Sequence, residues 1–462
     1  MQHDNQADAV IVGAGLTGLT TAYYLKKNGL DVVVIEKDKD PGGVIQTFRE
    51  DGFVYEAGPN TGVLSQPEVA ELFEDLDGSC RLEIANPKAK RRLIWKSGSW
   101  HALPGGPVSA LKTPLFSFRD KFGILGEPFR AKGKDPLETL EKMVIRRMGR
   151  SYLDYAVDPF ISGIYAGDPS RLVTKYALPK LYALEQNYGS FIRGAIKKRA
   201  EPKDERTQKA TKEVFSAEGG LGSLIDDLVL QLGEESLWTG VSGTRVSRMG
   251  DEFEVSIPVN GGVRRISTPH VISTIDAPRL PELFPFIDKA SFADILNLEY
   301  SAVVQVIAGF KNWKGMNLNA FGGLVPSKEH RDILGVLFTS SFLKNRAPEG
   351  GALLSVFLGG YRRPELAELT DAETEKLVFR EIREMLGVED PDPSLFRIFR
   401  YRRAIPQYGK TSEERLEAIS RIQEQHPGLY LAGAVRDGIG MADRIKQAKN
   451  IAGEVAENRQ KP

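Results

Sequence analysis

Three glycines and one glutamate raise the first chemical expectation. Gly13, Gly15 and Gly18 spell G-x-G-x-x-G, and Glu36 follows Gly15 by 21 residues. In such a loop the first glycine permits a tight turn, the second lets backbone N–H groups close on a pyrophosphate, and the third lets helix and strand pack closely. With 46 glycines in 462 residues, the triplet alone is expected by chance in roughly one chain of two. Its setting carries the information. The apolar run Ala9 to Val12 precedes it, a helix begins within it, and Glu36 closes the next apolar run, Val32 to Ile35. A carboxylate there accepts both hydroxyls of an adenosine ribose and repels a 2′-phosphate, which disfavours NADP. Gly42-Gly43 and Gly58-Pro59-Asn60-Thr61 add two glycine-rich turns near the same site. Backbone lining a flat ring fits an isoalloxazine better than a nicotinamide, so flavin leads as cofactor.

The elements that must position these residues follow from periodicity. Ala9 to Val12, Leu16 to Asn28 and Val32 to Ile35 read as one βαβ unit, with Gly29 as the helix stop. Continuous apolar strands belong to a parallel sheet covered on both faces, hence a doubly wound α/β fold. From Trp100 to about Lys212 helical segments prevail: Pro136 to Arg147, Tyr152 to Ser162 and Leu178 to Lys198. The charged run Lys197 to Glu213 is expected as a solvated loop, followed by a helix, Leu221 to Leu232, and strands Phe253 to Pro258 and Val263 to Ser267. The runs VVQVIAGF, ILGVLFTS and ALLSVFLGG predict an antiparallel sheet in a second domain, with a helix over Asp371 to Leu386. Strand Leu429 to Ala432 and a helix from about Asp443 return to the first domain.

Composition narrows the function. Lys plus Arg and Asp plus Glu both total 62, so no long-range field gathers nucleic acid. Cys80 is the only cysteine and the five histidines are scattered, which argues against disulfides and a metal centre. The polar start MQHDNQAD does not read as an export signal, and no apolar run is long enough to span a bilayer. A cytoplasmic location is expected.

Further motifs carry a resemblance. Gly58-Pro59-Asn60, Ala89-Lys90-Arg91-Arg92, His101-Ala102-Leu103-Pro104, Ser162 to Asp168 (SGIYAGD), Phe321 to Ser327 (FGGLVPS), Asn345-Arg346-Ala347-Pro348 and Ile405-Pro406-Gln407-Tyr408 follow the opening fingerprint in order. Together they resemble the oxygen-dependent protoporphyrinogen oxidase family, within the amine oxidase and phytoene desaturase superfamily. The resemblance implies a Rossmann-like FAD-binding domain (1–88, 213–276 and 424–462), an antiparallel-sheet substrate domain (89–98 and 277–423) and a helical, membrane-associating insertion (99–212). By similarity, Gly13, Ala14, Gly15, Leu16, Thr17 and Gly18 hold the diphosphate, and Glu36 with Lys37 the ribose side. Gly43, Val44, Gly58, Pro59, Asn60 and Thr61 surround the flavin, Val246 lies at the adenine, and Ile439, Gly440 and Met441 meet the ring from the far end. The implied reaction removes six electrons from a porphyrinogen in three steps, each a hydride transfer to flavin, with oxygen as acceptor and peroxide as product. Such chemistry needs no catalytic triad.

For the substrate, the family positions are Arg92 for a propionate, Gly163 for close approach, and Phe321, Leu324 and Phe357 as apolar walls. Trp100, Leu103, Pro104, Val108, Leu111, Leu115, Phe116 and Phe118 interleave with Lys112, Arg119 and Lys121, which suits peripheral contact with the inner face of a membrane. Some positions depart from the family: Asp40 where Arg is common, no Gly-His after Tyr408, and Ala442 and Arg444 around Asp443. Rival expectations are a coproporphyrinogen III oxidase, with Arg346, Arg363, Arg402 and Arg403 as candidate extra cations, an amine oxidase or carotenoid desaturase, and a non-enzymatic GDP-dissociation-inhibitor-like binder.

Overall fold

The computed structural model describes residues 6–76, 80–202, 204–259, 261–436 and 438–459. Five short strands form a parallel sheet in the order Leu237–Trp238, Val32–Ile35, Ala9–Val12, Val271–Ser273 and Leu429–Leu431. Alternate residues of the central strand serve different cores. Ala9 and Ile11 pack with helices Leu16–Lys27, Gly222–Leu232 and Met441–Arg459, through Leu19, Leu224 and Ile445. Val10 and Val12 pack with an antiparallel meander of Arg245–Met249, Glu252–Val259 and Gly262–Thr268, through Val255 and Ile266. Because both faces are covered, every residue of the strand is apolar.

The second sheet has seven strands in the order Leu395–Pro406, Tyr300–Phe310, Ala352–Gly359, Ile333–Leu337, Gly322–Leu324, Arg92–Lys96 and Ser99–Ala102. It is mixed rather than antiparallel. Gly322–Leu324 runs parallel to Arg92–Lys96, a pairing between segments more than 200 residues apart that local periodicity does not reveal. Ser99–Ala102, expected at the start of the helical region, closes the sheet as an edge strand. Val304, Val306, Val356 and Leu358 bury one face under helix Asp371–Leu386, whose start is capped by the reciprocal pair Thr370 and Glu373. On the other face, Ile307 and Leu353 meet Phe53 and Tyr55 of the first lobe.

The intervening region is helical but more broken than expected. Gly189 adopts φ +71° and Ser190 caps the next turn, splitting Leu178 to Lys198 into Pro179–Tyr188 and Phe191–Ala200. Tyr152 to Ser162 becomes a π-helical turn, Leu153–Val157, leading into helix Asp158–Ile164. The region is tied internally by a fully buried trio, Arg147 with Glu127 at 2.9 Å and Glu185 at 3.3 Å. The charged run is not simply solvated: Glu205–Gln208 is helical and Arg206 pairs with Glu68 and Glu71. Lys203, within that run, and Met1 to Asn5 lie outside the described residues. Among the described residues no helix is long and apolar enough to cross a membrane, and no cluster of metal-ligating side chains occurs.

Candidate active site

The glycine loop closes as its spacing demands. A Cβ on Gly18 would lie 1.9 Å from the Gly13 carbonyl oxygen, so strand and helix meet there only because a side chain is missing. At Gly15, by contrast, a Cβ would meet nothing within 4 Å. That open space, at the N-terminal end of helix Leu16–Lys27, is where helix amides can receive a phosphate. Ala14, Leu16 and Thr17 are themselves buried, which leaves their backbone as the usable surface. Glu36 is fixed across the loop: its carboxylate accepts from Ala14 N–H at 2.7 Å and from Asp38 N–H at 3.0 Å. Lys37 points away, exposed and paired with Asp38.

The next two turns stack on this loop. Gly42 N–H donates to the Ala14 carbonyl at 2.7 Å, and Gly43 and Val44 are exposed beside it, Val44 to 58%. Gly58, at φ +86°, sits where a Cβ would be 2.1 Å from the Val44 carbonyl oxygen. Pro59 and Thr61 are half-buried and Asn60 is buried. This turn is held from the second sheet. Gln305, 1% exposed, accepts from Gly58 N–H at 2.7 Å through Oε1 and donates through Nε2 to the Glu56 carbonyl at 3.0 Å. Ser355 donates to Asn60 Oδ1 at 2.8 Å, while the buried Asn60 Nδ2 has no acceptor among the described residues.

From the far end, Ile439 packs beside Tyr408, whose hydroxyl donates to the Gly438 carbonyl at 3.0 Å. Gly440 precedes helix Met441–Arg459 and Met441 is buried in the same core as Leu16. Val246 requires a correction of emphasis: its side chain is 1% exposed inside the meander core, so only its main chain is available to a ligand.

The strand register assembles Arg92, Leu324 and Phe357 on one sheet face. Ile94, Leu324, Gly335, Phe357 and Gln305 form a single cross-strand row. Leu324 and Phe357 are thus two strands apart, about 10 Å. The adjacent row runs Arg92, Gly322, Leu337, Ser355, Ile307. Arg92 is exposed, lies 5.7 Å from the ring centre of Phe321, and has no carboxylate partner among the described residues. Phe321 stacks on Phe342 with centroids 4.2 Å apart. Gly163, exposed on helix Asp158–Ile164, closes the side, for a Cβ there would lie 2.4 Å from Leu324 Cδ2. That helix is tied at its start and again just past its end, since Arg362 bonds Asp158 and, at 2.8 Å, Asp168 in the segment that follows Ile164.

The other arginines are committed elsewhere. Arg346 is buried against Glu83 at 3.2 Å and Glu56 at 3.7 Å, not at a pocket mouth. Burial pushes the Glu56 carboxyl up, against the hydrogen bonds from Thr47 and Leu221 and the nearby charge of Arg346, which oppose the rise. Arg363 pairs with Asp332 and Glu365, Arg402 with Glu368, and Arg403 with Asp276. Sequence reading passed over Gln305 and Ser355. Each is a lone polar residue inside an apolar strand run, which is the signal of a buried hydrogen-bonding task.

The site fits a flavin dinucleotide: open space beside Gly15, an oriented carboxylate at Glu36, and at Asn60 a buried donor lacking an acceptor among the described residues. Comparison with known proteins agrees. The family model described as flavin containing amine oxidoreductase matches residues 16–456. The mitochondrial protoporphyrinogen oxidase of Nicotiana tabacum is 30% identical over 98% of this chain and 95% of its own. The coproporphyrinogen III oxidase of Bacillus subtilis is 25% identical over 96% and 97%. A crystal structure from Exiguobacterium sp. 255-15, described as a candidate protoporphyrinogen oxidase, superposes with a TM-score of 0.81 at 24% identity, covering 97% of this chain and 98% of that one. The chain is a flavin-dependent oxidoreductase that belongs to the flavin containing amine oxidoreductase family and, within it, to the protoporphyrinogen oxidases.

Proposed function

We propose that the enzyme oxidises protoporphyrinogen IX to protoporphyrin IX in three two-electron steps, with oxygen as the final acceptor. The observation that carries this reading is the apolar row Leu324, Gly335, Phe357, which faces the flavin turn, with Arg92 one row away as a cation lacking an acidic partner among the described residues. FAD, when bound, supplies the two-electron sink. The loop from Gly13 to Gly18 and Glu36 bind its nucleotide half, and Val44 with Gly58 to Thr61 lie along its ring. Ile439, Gly440 and Met441 approach that ring from the last helix, and Val246 offers its backbone at the adenine. Leu324, Phe357 and Phe321 exclude water and press the macrocycle flat, Gly163 gives clearance, and Arg92 orients it through a carboxylate. In this arrangement the 1–88, 213–276 and 424–462 segments carry the cofactor, and 89–98 with 277–423 carry the substrate.

A four-carboxylate macrocycle calls for more cations. Arg346, Arg363, Arg402 and Arg403 are all engaged by carboxylates, so a two-propionate substrate is favoured over coproporphyrinogen. The decisive test compares rates on the two porphyrinogens under air, recording porphyrin fluorescence and peroxide. Faster turnover of protoporphyrinogen supports the reading, and preference for coproporphyrinogen reverses it. Purified protein should be yellow with about one flavin per chain.

The helical insertion supports peripheral membrane contact on the cytoplasmic side. Val108, Leu111, Phe118, Phe122, Leu125 and Phe129 are each more than 60% exposed, with Lys121 over the Phe118 ring. Leu115 and Phe116, expected in the same patch, are buried against Ile94 and Tyr152 and take no part. Flotation with anionic vesicles, lost in F118S/F122S/F129S, checks the contact.

A further inference from the structure

We infer that Thr339 and Ser355 form a hydroxyl relay that fixes the amide of Asn60 with its nitrogen toward the flavin, making Ser355 a positioning residue for a hydrogen-bond donor to the ring. The inference rests on the flavin-binding reading above. Three observations carry it. Ser355, 0% exposed on strand Ala352–Gly359, donates to Asn60 Oδ1 at 2.8 Å. Its oxygen lies 3.3 Å from the hydroxyl of Thr339, itself 1% exposed. Asn60, 4% exposed, keeps Nδ2 buried with no acceptor among the described residues.

A hydroxyl has one hydrogen. If Ser355 gives it to Asn60 Oδ1, the Thr339–Ser355 contact can only be a donation from Thr339 to Ser355. The direction of the chain is then set: were the amide turned over, Nδ2 would donate to Ser355 and Ser355 to Thr339, and the Thr339 hydrogen would find no acceptor among the described residues. A buried amide nitrogen without an acceptor is costly, and within the proposed flavin turn a ring acceptor would satisfy it. Neighbours in the strand support the placement: Phe357 follows Ser355 on the same face, and Gln305 clamps the turn two residues before Asn60. The second sheet therefore shapes both the substrate wall and the polarity of the cofactor's surroundings.

Reduction places negative charge on the ring, so a fixed donor binds reduced flavin more tightly than oxidised flavin. The test is the flavin midpoint potential of the holoenzyme, measured by dye equilibration. S355A should cost about tenfold in the preference for the reduced form, equal to about 30 mV downward for a two-electron couple. T339V should lower the potential by a smaller step. S355T, which keeps the hydroxyl, should restore the wild-type value, and this separates positioning from loss of packing. Wild-type potentials in both S355A and T339V, each carrying one flavin per chain, would overturn the relay. A flavin-free wild-type protein would instead overturn the proposed function, and the relay with it.

Discussion

The two walls of the proposed cleft are built by opposite means. On the dinucleotide side the usable groups are backbone amides, and what matters is where side chains are absent: Gly18 because the Gly13 carbonyl is in the way, Gly15 because open space must remain. On the sheet side the usable groups are side chains delivered by strand alternation, with Leu324, Phe357 and Gln305 in one row and Arg92 and Ser355 in the next. Adding atoms should damage the first wall, whereas removing charge or volume should damage the second.

The largest effect is expected at Gly18. G18A puts a methyl carbon into main-chain oxygen that cannot yield, and essentially all flavin should be lost together with a large fall in melting temperature. G15A should leave the melt within about 2 °C of wild type while flavin affinity drops at least about tenfold, since its methyl group meets only the ligand. Absorbance per chain and thermal melts measure both. A yellow, stable G18A protein would erase the contrast.

Next comes Arg92. R92A should raise KM by about 10- to 100-fold, on the scale of about 1.5 to 3 kcal/mol for a charged hydrogen bond. The kcat value should move by only a few-fold, because in the proposed pose the guanidinium orients the substrate and does not touch the reacting carbon. Unchanged steady-state constants would remove it from the wall.

Gly163 sharpens the comparison from within the second wall. G163A pushes against Leu324 Cδ2, the free end of a flexible side chain, so Leu324 should swing and narrow the slot. A KM increase of about 3- to 10-fold with normal flavin content is expected, and G163A/L324A should recover much of it. If flavin content falls instead, the helix carrying Gly163 belongs to the cofactor wall.

A smaller effect belongs to the clamp on that helix. Burial alone would raise the Asp168 carboxyl, but bonds from Arg362 and Ser170 outweigh it and hold the carboxyl below its usual range. A depressed folded value means stabilisation above the ordinary carboxylate pKa that is lost as pH falls through the folded one. D168N should thus melt a few degrees lower than wild type near neutrality, and the gap should close in acid below the ordinary carboxylate range. A pH-independent gap would place the effect in packing. Cys80 should show least of all. Burial and then the acidic Asp227, Asp226 and Glu218 push its thiol up to about 12, so native protein at pH 8 should resist thiol labelling on the order of a hundredfold relative to unfolded chain, and C80S should be active.

The asymmetry also explains what could be read from sequence. Ala9–Val12, Val32–Ile35, Phe53–Ala57 and Asp371–Leu386 are local: apolar period, glycine stops and a capping box define them without knowledge of the rest. Glycine spacing likewise announced the phosphate loop. The sheet face was legible only through resemblance, because Leu324 reaches Phe357 through pairings among three separate segments, and because a phenylalanine in a wall and one in a core look alike in sequence. The fate of Arg346 depended on Glu83, some 260 residues away. Gly189-Ser190 did carry a stop and a cap, yet helix-favouring neighbours on both sides masked the break. Thr339 begins a short helix where ILGVLFTS read as continuous strand, since the relay hydroxyl sits just past the end of the pairing.

The Gln305 clamp has a consequence for biosynthesis. The turn at Gly58 leaves the ribosome early, but its two fastening residues arrive 247 and, for Ser355, 295 positions later. At about 5 to 20 residues per second, the nascent chain waits on the order of 12 to 60 seconds before that turn can be locked. Cofactor loading is therefore expected late in the life of the polypeptide, and cells starved of riboflavin should accumulate a full-length, protease-sensitive apoprotein rather than stalled fragments.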